Sequence, residues 1–180
     1  MLRSTAEALR QFEATVERYL TELENLEMEQ LLQKKNEEEW SLGQMYLHLI
    51  QSANFMHLRN VDQCLAGSEP ATDTAGEKTE IGRKVFEQGS FPPDRIRVPA
   101  SPQYTPKQPE SKEQLKEGLL GVVERMKRTE PTLGQASERN KIPHPRLGAL
   151  NAKEWFLLIE MHYRHHLLQL DRLKGELNLV

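Results

Sequence analysis

His162 and His166 are the residues of this sequence whose types and spacing most clearly suggest chemistry. They lie in "EWFLLIEMHYRHHLLQL", residues 154–170, where apolar residues recur at helical spacing. Residues four apart on a helix share a face, with Cβ atoms about 5–6 Å apart, so the two imidazoles should project as a pair. Such a pair can bind a divalent ion at about 2.0–2.1 Å from each nitrogen, but two ligands from one helix make only a weak site.

A third ligand is available in "WSLGQMYLHLIQ", where His48 lies among inward positions such as Met45 and Leu49. Three neutral imidazole nitrogens with one open position are typical of a working metal site rather than a structural one. The alternative is that each histidine is an ordinary core residue with its own partner. A buried polar ring without a partner costs about 1–3 kcal/mol, so either a cation or separate hydrogen bonds must satisfy the three rings.

The other three histidines are weaker candidates. His165 is adjacent to the predicted pair, and we expect it at the rim of the site. His57 follows His48 by nine positions, about 180° around a regular helix, so it should face away from the site. His144 stands between two prolines in "KIPHPRLGAL" and is predicted to be a loop residue with little direct role.

Four segments with helical periodicity are predicted at residues 4–31, 41–66, 111–129 and 151–176. Each opens with a capping residue followed, at the third position, by Glu or Gln, which is typical of a helix start. These pairs are Ser4 with Glu7, Ser41 with Gln44, Ser111 with Gln114, and Asn151 with Glu154. The pattern predicts an all-α fold.

A long connection, residues 67–110, separates the second and third predicted helices and holds seven of the ten prolines. Within it, a short helix is predicted near residues 77–88. A connection of this length allows the second and third helices to run parallel, as in bundles with one crossover. Its end, near residues 104–109, should then reach the pole where the second helix begins. It serves as a crossover strap, as a lid, or as both. We expect one domain over residues 1–180.

The composition excludes several classes of protein. The net charge is −3, charged residues make up 28% and both signs are interspersed, so there is no basic footprint for a nucleic acid. No run of about 18 apolar residues predicts a membrane span. A single cysteine, Cys64, cannot form an internal disulfide or a cysteine-rich zinc site. We expect a cytoplasmic protein with a small-molecule substrate and neither nucleic acid nor membrane as partner.

Two blocks of the chain resemble the DinB/YfiT-like superfamily of four-helix bundles. "EEEWSLGQMYLHLIQSAN" is similar to the family's tryptophan-led block with the first metal histidine, which corresponds to His48. "HPRLGALNAKEWFLLIEMHYRHHLLQLDRL" is similar to its closing block. There the paired histidines correspond to His162 and His166, and the trailing glutamine to Gln169.

The resemblance implies an up-down-down-up bundle, a divalent metal ion such as zinc or nickel, and in many members a homodimer. Some relatives are transferases or isomerases that use a low-molecular-weight thiol, and others are described as metal-dependent hydrolases. The proline-rich connection departs from the family pattern and could reshape or cover the pocket.

Three functions are consistent with the sequence. The first is a hydrolase or thiol-dependent transferase with an open position on a three-histidine site, and its alternative is a non-enzymatic metal-binding or dimerisation bundle. A metal-free interaction bundle is a third, weaker reading. Candidate contacts around the site are Gln44, Ser52, Gln169 and Tyr104, and Arg95 and Arg97 could give the pocket a basic rim.

Overall fold

The computed structural model describes residues 3–95 and 104–179, which are mostly helical with one small β-hairpin. The helices are α1 (Thr5–Asn25), α2 (Met28–Leu32), α3 (Leu42–Ser52), α4 (Leu58–Ala66), α5 (Glu80–Gln88), α6 (Lys112–Thr129) and α7 (Ala152–Glu176). A π turn, Ala53–His57, joins α3 to α4, and a 3-10 turn, Glu130–Gln135, follows α6. Strands β1 (Lys141–His144) and β2 (Gly148–Asn151) pair antiparallel. The hairpin was not predicted.

The predicted helix starts are confirmed. The side chains of Ser4, Ser41, Ser111 and Asn151 each accept a hydrogen bond from the backbone N–H three residues later. Among these four predicted starts, the reciprocal bond of a full capping box forms at α3 and α7, the two helices that carry the candidate ligands. Each such cap contributes about 1 kcal/mol, so both of these helices have firmly defined first turns.

Two predicted helices are interrupted. The first ends at Asn25, and Glu27 then caps the short α2 in a reciprocal pair with Gln30. The second, predicted as regular over residues 41–66, contains the π turn. Such a turn widens the hydrogen-bond spacing from four residues to five, and it therefore changes the face on which every later residue of the segment lies.

A single buried core joins the long helices. Helix α1 packs on α6 and α7, α3 packs on α6, and both α3 and α4 pack on α7. At the centre, Tyr46 donates its hydroxyl to the carbonyl of Tyr19 at 2.7 Å, and Tyr19 donates to the carbonyl of Tyr163 at 2.6 Å. Because Tyr163 adjoins His162 and Tyr46 precedes His48 by two residues, this chain of contacts fixes α3 and α7 beside each other at the level of the candidate site.

The hairpin depends on one glycine. Gly148 has a φ of +81°, and a Cβ at this position would lie 2.5 Å from the carbonyl oxygen of Glu77. A side chain is therefore excluded both by the backbone conformation and by the close approach of the crossover. The hairpin and the start of α5 form one packed unit.

The crossover arrives where it was predicted to arrive. The Gln44 amide donates to the carbonyl of Pro106 at 2.7 Å, and the Ser41 hydroxyl donates to Gln108 at 2.6 Å. The short helix of the crossover is also present as α5, with Thr79 as its N-cap. Within the described residues, no helix combines the length and apolar composition needed to cross a membrane.

Candidate metal centre

Three histidine side chains converge between α3 and α7. The Nε2 atoms of His48 and His166 each lie 3.1 Å from the Nε2 atom of His162. These are the three residues of the described chain whose ligand atoms lie close enough together to hold a metal ion. Four-coordinate binding at about 2.0–2.1 Å separates ligand nitrogens by about 3.3 Å, so these two distances differ from that geometry by only a few tenths of an ångström.

A hydrogen bond fixes the tautomer of His166. Nδ1 of His166 lies 2.7 Å from the Oε1 atom of Gln169. An amide oxygen only accepts, so Nδ1 of His166 carries the proton and Nε2 presents its lone pair to the centre of the cluster. The Ser52 hydroxyl lies 3.5 Å from Nδ1 of His48, at the limit of a hydrogen bond.

Burial keeps the cluster neutral. Loss of hydration is the largest cause of the lowered pKa of His48, about 3, and of His166, about 4. Burial also moves the pKa of His162 well below its ordinary value, and the neighbouring imidazoles lower it further. Neutral imidazole is the form that binds metal, so at neutral pH all three rings are in the protonation state that metal binding requires.

The three histidines form part of the lining of a cavity of about 880 Å³. We call them the floor. Helix α5 and residues 89–95 line another part of the cavity, and we call this segment the roof; its contributions include Val85, Phe91 and Arg95. The volume is typical of sites for small organic ligands, which are usually about 300–1,000 Å³. The crossover is thus part of the cavity wall.

The roof is fastened at both ends of α5. At its start, the backbone N–H of Thr79 donates to the carbonyl of Leu147 at 2.9 Å, which joins α5 to the hairpin. At its end, the Arg164 guanidinium donates to the carbonyl of Gly89. Arg164 is held by the buried carboxylate of Glu160, at 2.8 and 3.0 Å. These hydrogen bonds join the roof to the hairpin at one end of α5 and to α7 at the other.

Charges in the cavity wall are balanced. The described lining includes the carboxylates Glu38, Glu39 and Asp94 and the guanidinium groups Arg95, Arg146 and Arg172. The carboxylate of Glu39 forms ion pairs with both Arg95 and Arg172. The predicted contribution of Arg95 to a basic rim is therefore offset by Glu39, and Arg97 lies outside the described residues.

Of the four other residues predicted to contact the site, two lie beside the histidines and two do not. Gln169 lies against His166 and lines the cavity, and Ser52 lies beside His48. The Gln44 side chain is occupied by the cap of α3 and by Pro106. Tyr104 is 62% exposed, and neither it nor Gln44 is among the described residues that line the cavity.

The prediction for His57 is wrong. Its side chain is only 4% exposed, and its ring centre lies 5.3 Å from that of His162. A π turn accommodates one extra residue, which resets the helix phase by about 100° and brings His57 round into the bundle. No residue of "SANFMH" signals the turn. The residue that stabilises the turn is distant in sequence, since the Arg125 guanidinium of α6 donates to the carbonyl of Asn54 in the turn at 3.1 Å.

His144 is also misplaced by the prediction, since it ends strand β1 rather than lying in a loop. Its Nδ1 accepts hydrogen bonds from the backbone N–H groups of Arg146 and Leu147, and the residue lines the cavity. Two donors at Nδ1 leave the proton on Nε2, so His144 is a neutral donor at that atom. His165 lines the cavity beside Phe91, away from the three converging nitrogens.

Comparison with known proteins agrees with this arrangement at the level of the family. No curated protein and no solved structure gives a significant match. The DinB superfamily is matched over residues 11–170, a range that includes all three histidines of the floor and the whole crossover. On this match, the chain belongs to the DinB superfamily.

Proposed function

We propose that this protein is a metal-dependent enzyme that acts on a small molecule in the 880 Å³ cavity, with His48, His162 and His166 as the ligands of a zinc or nickel ion. The observation that carries the proposal is the convergence of three Nε2 atoms in the wall of a cavity of ligand size. A divalent ion bound there would supply Lewis acidity and lower the pKa of a coordinated water or thiol.

The protein's own residues have definable tasks in this function. Gln169 fixes the tautomer of His166, and Ser52 lies where it can do the same for His48. His144 can donate a hydrogen bond from Nε2 to a bound substrate, because its Nδ1 is already occupied. The roof supplies the apolar contacts of Val85 and Phe91 to the cavity.

Hydrolysis is the first reaction to test. A strongly basic rim would favour transfer from an acidic low-molecular-weight thiol, because its carboxylates need cationic partners. Among the described lining residues the positive and negative charges are equal in number, and Arg95 is already paired. Thiol-dependent transfer remains the second reaction, and added thiol distinguishes the two directly.

The test begins with metal and proceeds to turnover. Protein purified with zinc or nickel should retain close to one equivalent per chain, and the His162→Ala variant should retain almost none. Activity on a panel of small esters, amides and lactones should depend on that metal. Metal at well below one equivalent in the unaltered protein would contradict the proposal. A full equivalent without turnover, with or without thiol, would leave the alternative of a non-enzymatic metal-binding bundle.

We infer that the long helices form a single up-down-down-up bundle domain. Contacts between opposite ends support this direction: Thr5 at the start of α1 donates to Glu130 after α6, and Lys112 at the start of α6 donates to the carbonyl of Glu24. Gly43 at the start of α3 lies against Pro109, just before α6, and Arg125 late in α6 forms an ion pair with Asp62 of α4, which together support parallel directions for the second and third long segments.

A homodimer is also part of the proposal. Phe55, on the π turn, is 72% exposed, the highest value among the large hydrophobic side chains of the described residues. Burial of this ring against a second copy would remove it from water. The Phe55→Ser variant should then shift the mass measured by light scattering toward one chain, and an unchanged mass would contradict this role for Phe55.

A further inference from the structure

His57 is a buried imidazole that the metal site described above does not use. Its ring lies nearly perpendicular to that of His162, at 87°, with the ring centres 5.3 Å apart. Nδ1 of His57 and Nδ1 of His162 are both buried, and neither has a hydrogen-bond partner among the described residues. Two unpaired ring nitrogens therefore lie on adjacent rings in the same part of the core.

Metal binding would make one of these nitrogens a donor in need of an acceptor. If His162 binds through Nε2, its proton must reside on Nδ1. Metal-binding histidines almost always donate that second N–H to a carboxylate, a carbonyl or a water, and the donor fixes the ring. His166 meets this requirement through Gln169. His162 has no such partner among the described residues.

We propose that His57 is the positioning residue for His162: in the metal-loaded protein, Nδ1 of His57 accepts the hydrogen bond that His162 donates from its own Nδ1. A ring nitrogen lies about 1.2 Å from the centre of an imidazole, so with ring centres 5.3 Å apart a rotation of the rings can bring the two Nδ1 atoms to about 3 Å, the length of an N–H···N hydrogen bond. This inference rests on the proposed metal site and extends it by one residue.

The π turn gives independent support. In a regular helix His57 would face away from His48, and only the turn brings it to His162. The turn is held from outside: Arg125 donates to the carbonyl of Asn54 at 3.1 Å and forms an ion pair with Asp62 at 2.6 Å. Departures of this kind are frequent at functional sites. In this protein the π turn places the His57 ring against the His162 ring.

The test compares zinc affinity, measured by chelator competition, in four full-length proteins. His57→Leu removes the acceptor, and His57→Asn keeps an acceptor atom close to the position of Nδ1. We expect His57→Leu to bind zinc 10- to 100-fold more weakly than the unaltered chain, as is typical when such a partner is lost. His57→Asn should remain within about threefold of it. His165→Leu is the matched control and should change little, because His165 contacts Phe91 at the rim.

A second measurement does not depend on variants folding. In the zinc-loaded unaltered protein, nitrogen-15 spectra should show the His162 Nδ1 proton coupled across a hydrogen bond to Nδ1 of His57. Equal zinc affinity in His57→Leu would overturn the inference. Coupling of His57 to the indole N–H of Trp155, whose ring centre lies 6.0 Å away, would also overturn it. If the unaltered protein binds no zinc, the proposed function fails first and this inference fails with it.

Discussion

The floor and the roof of the cavity are built in different ways. The floor histidines lie on α3 and α7, whose first turns are fixed by reciprocal capping boxes and whose apolar faces are fully buried. The roof is a nine-residue helix, α5, with the extended residues that follow it. It is positioned by the buried side chains of Val85 and Phe86 and by individual hydrogen bonds such as those of Thr79 and Arg164.

This difference separates two tasks. The floor histidines lie on long, capped helices, so helix geometry and core packing fix their spacing. Changes in the crossover should therefore leave that spacing unaltered. The roof helix α5 buries fewer residues than α3 or α7, so we expect it to belong to the less stable part of the structure and to change its shape or sequence more freely. We therefore expect the floor to determine the chemistry and the roof to determine which molecule reaches it. The following predictions test that division, from the largest expected effect to the smallest.

The largest effect should come from removing a floor ligand. His166→Ala should weaken zinc binding by about 1,000-fold or more, because two imidazoles hold the ion far less well than three. His165→Ala should change the affinity by less than about threefold, since its ring lies at the rim beside Phe91. Isothermal titration with zinc measures both. A larger loss in His165→Ala would show that the wrong histidine of the neighbouring pair has been assigned to the floor.

The stability of the metal-free protein should fall as the pH is lowered from about 7 to 5. Burial lowers the pKa of His48 and His57 to about 3 and that of His166 to about 4, whereas an unfolded chain has about 6.5. Between these values the unfolded chain takes up protons that the folded chain does not. Each such histidine can then lower the free energy of unfolding by up to about 1.4 kcal/mol per pH unit.

Urea unfolding at pH 7, 6 and 5 measures this slope. His48→Gln removes one of the titrating rings and should make the slope shallower. A free energy of unfolding that is constant between pH 5 and 7 would contradict neutral, buried floor histidines. Because the same low pKa values keep the ligands unprotonated, metal should be lost at a lower pH than the value near 6 expected for ordinary histidines.

A single added methyl group should displace the roof. A Cβ on Gly82 would lie 2.1 Å from the carbonyl oxygen of Leu147, so Gly82→Ala must push α5 away from the hairpin. We expect faster hydrogen exchange in α5, a loss of about 1–3 kcal/mol, and unchanged exchange in α3 and α7. The matched control is Gly121→Ala in α6, where the space is open and the free energy of unfolding should rise by about 0.5–1 kcal/mol. Exchange that increases equally in floor and roof would remove the distinction between them.

The smallest effect should come from a residue that supports the floor. Gln169→Leu removes the acceptor for Nδ1 of His166 and should weaken zinc binding by about tenfold. Gln169→Glu keeps an acceptor and should retain most of the affinity. If Gln169→Leu binds zinc as tightly as the unaltered chain, the tautomer of His166 is fixed by something other than this hydrogen bond.

The floor could be predicted from the sequence because its determinants are local. Helix periodicity places His162 and His166 on one face, and the capping residues Ser41 and Asn151 mark where each helix begins. The only non-local step was the assumption that His48 faces that pair, and the packing of α3 on α7 brings the rings together.

The features that could not be predicted depend on residues distant in sequence. The π turn is held by Arg125 on another helix, so no local pattern reports it, and His57 was assigned to the wrong face. The hairpin contains Pro143, which weakens any local strand signal, and it is completed by an isolated bridge between Gly148 and Lys78 of the crossover. In both places the missing information is a tertiary contact.

The crossover has a consequence for how its length can vary. It leaves the bundle after α4 and returns to the cap of α3, where Ser41 and Gln44 bind Gln108 and Pro106. Between these ends the crossover is also fastened at Thr79 and Gly89, so insertions or deletions between the fastening points can alter the shape of the cavity wall without moving the three histidines. Related proteins could thus acquire wider or narrower compartments above the same three imidazoles.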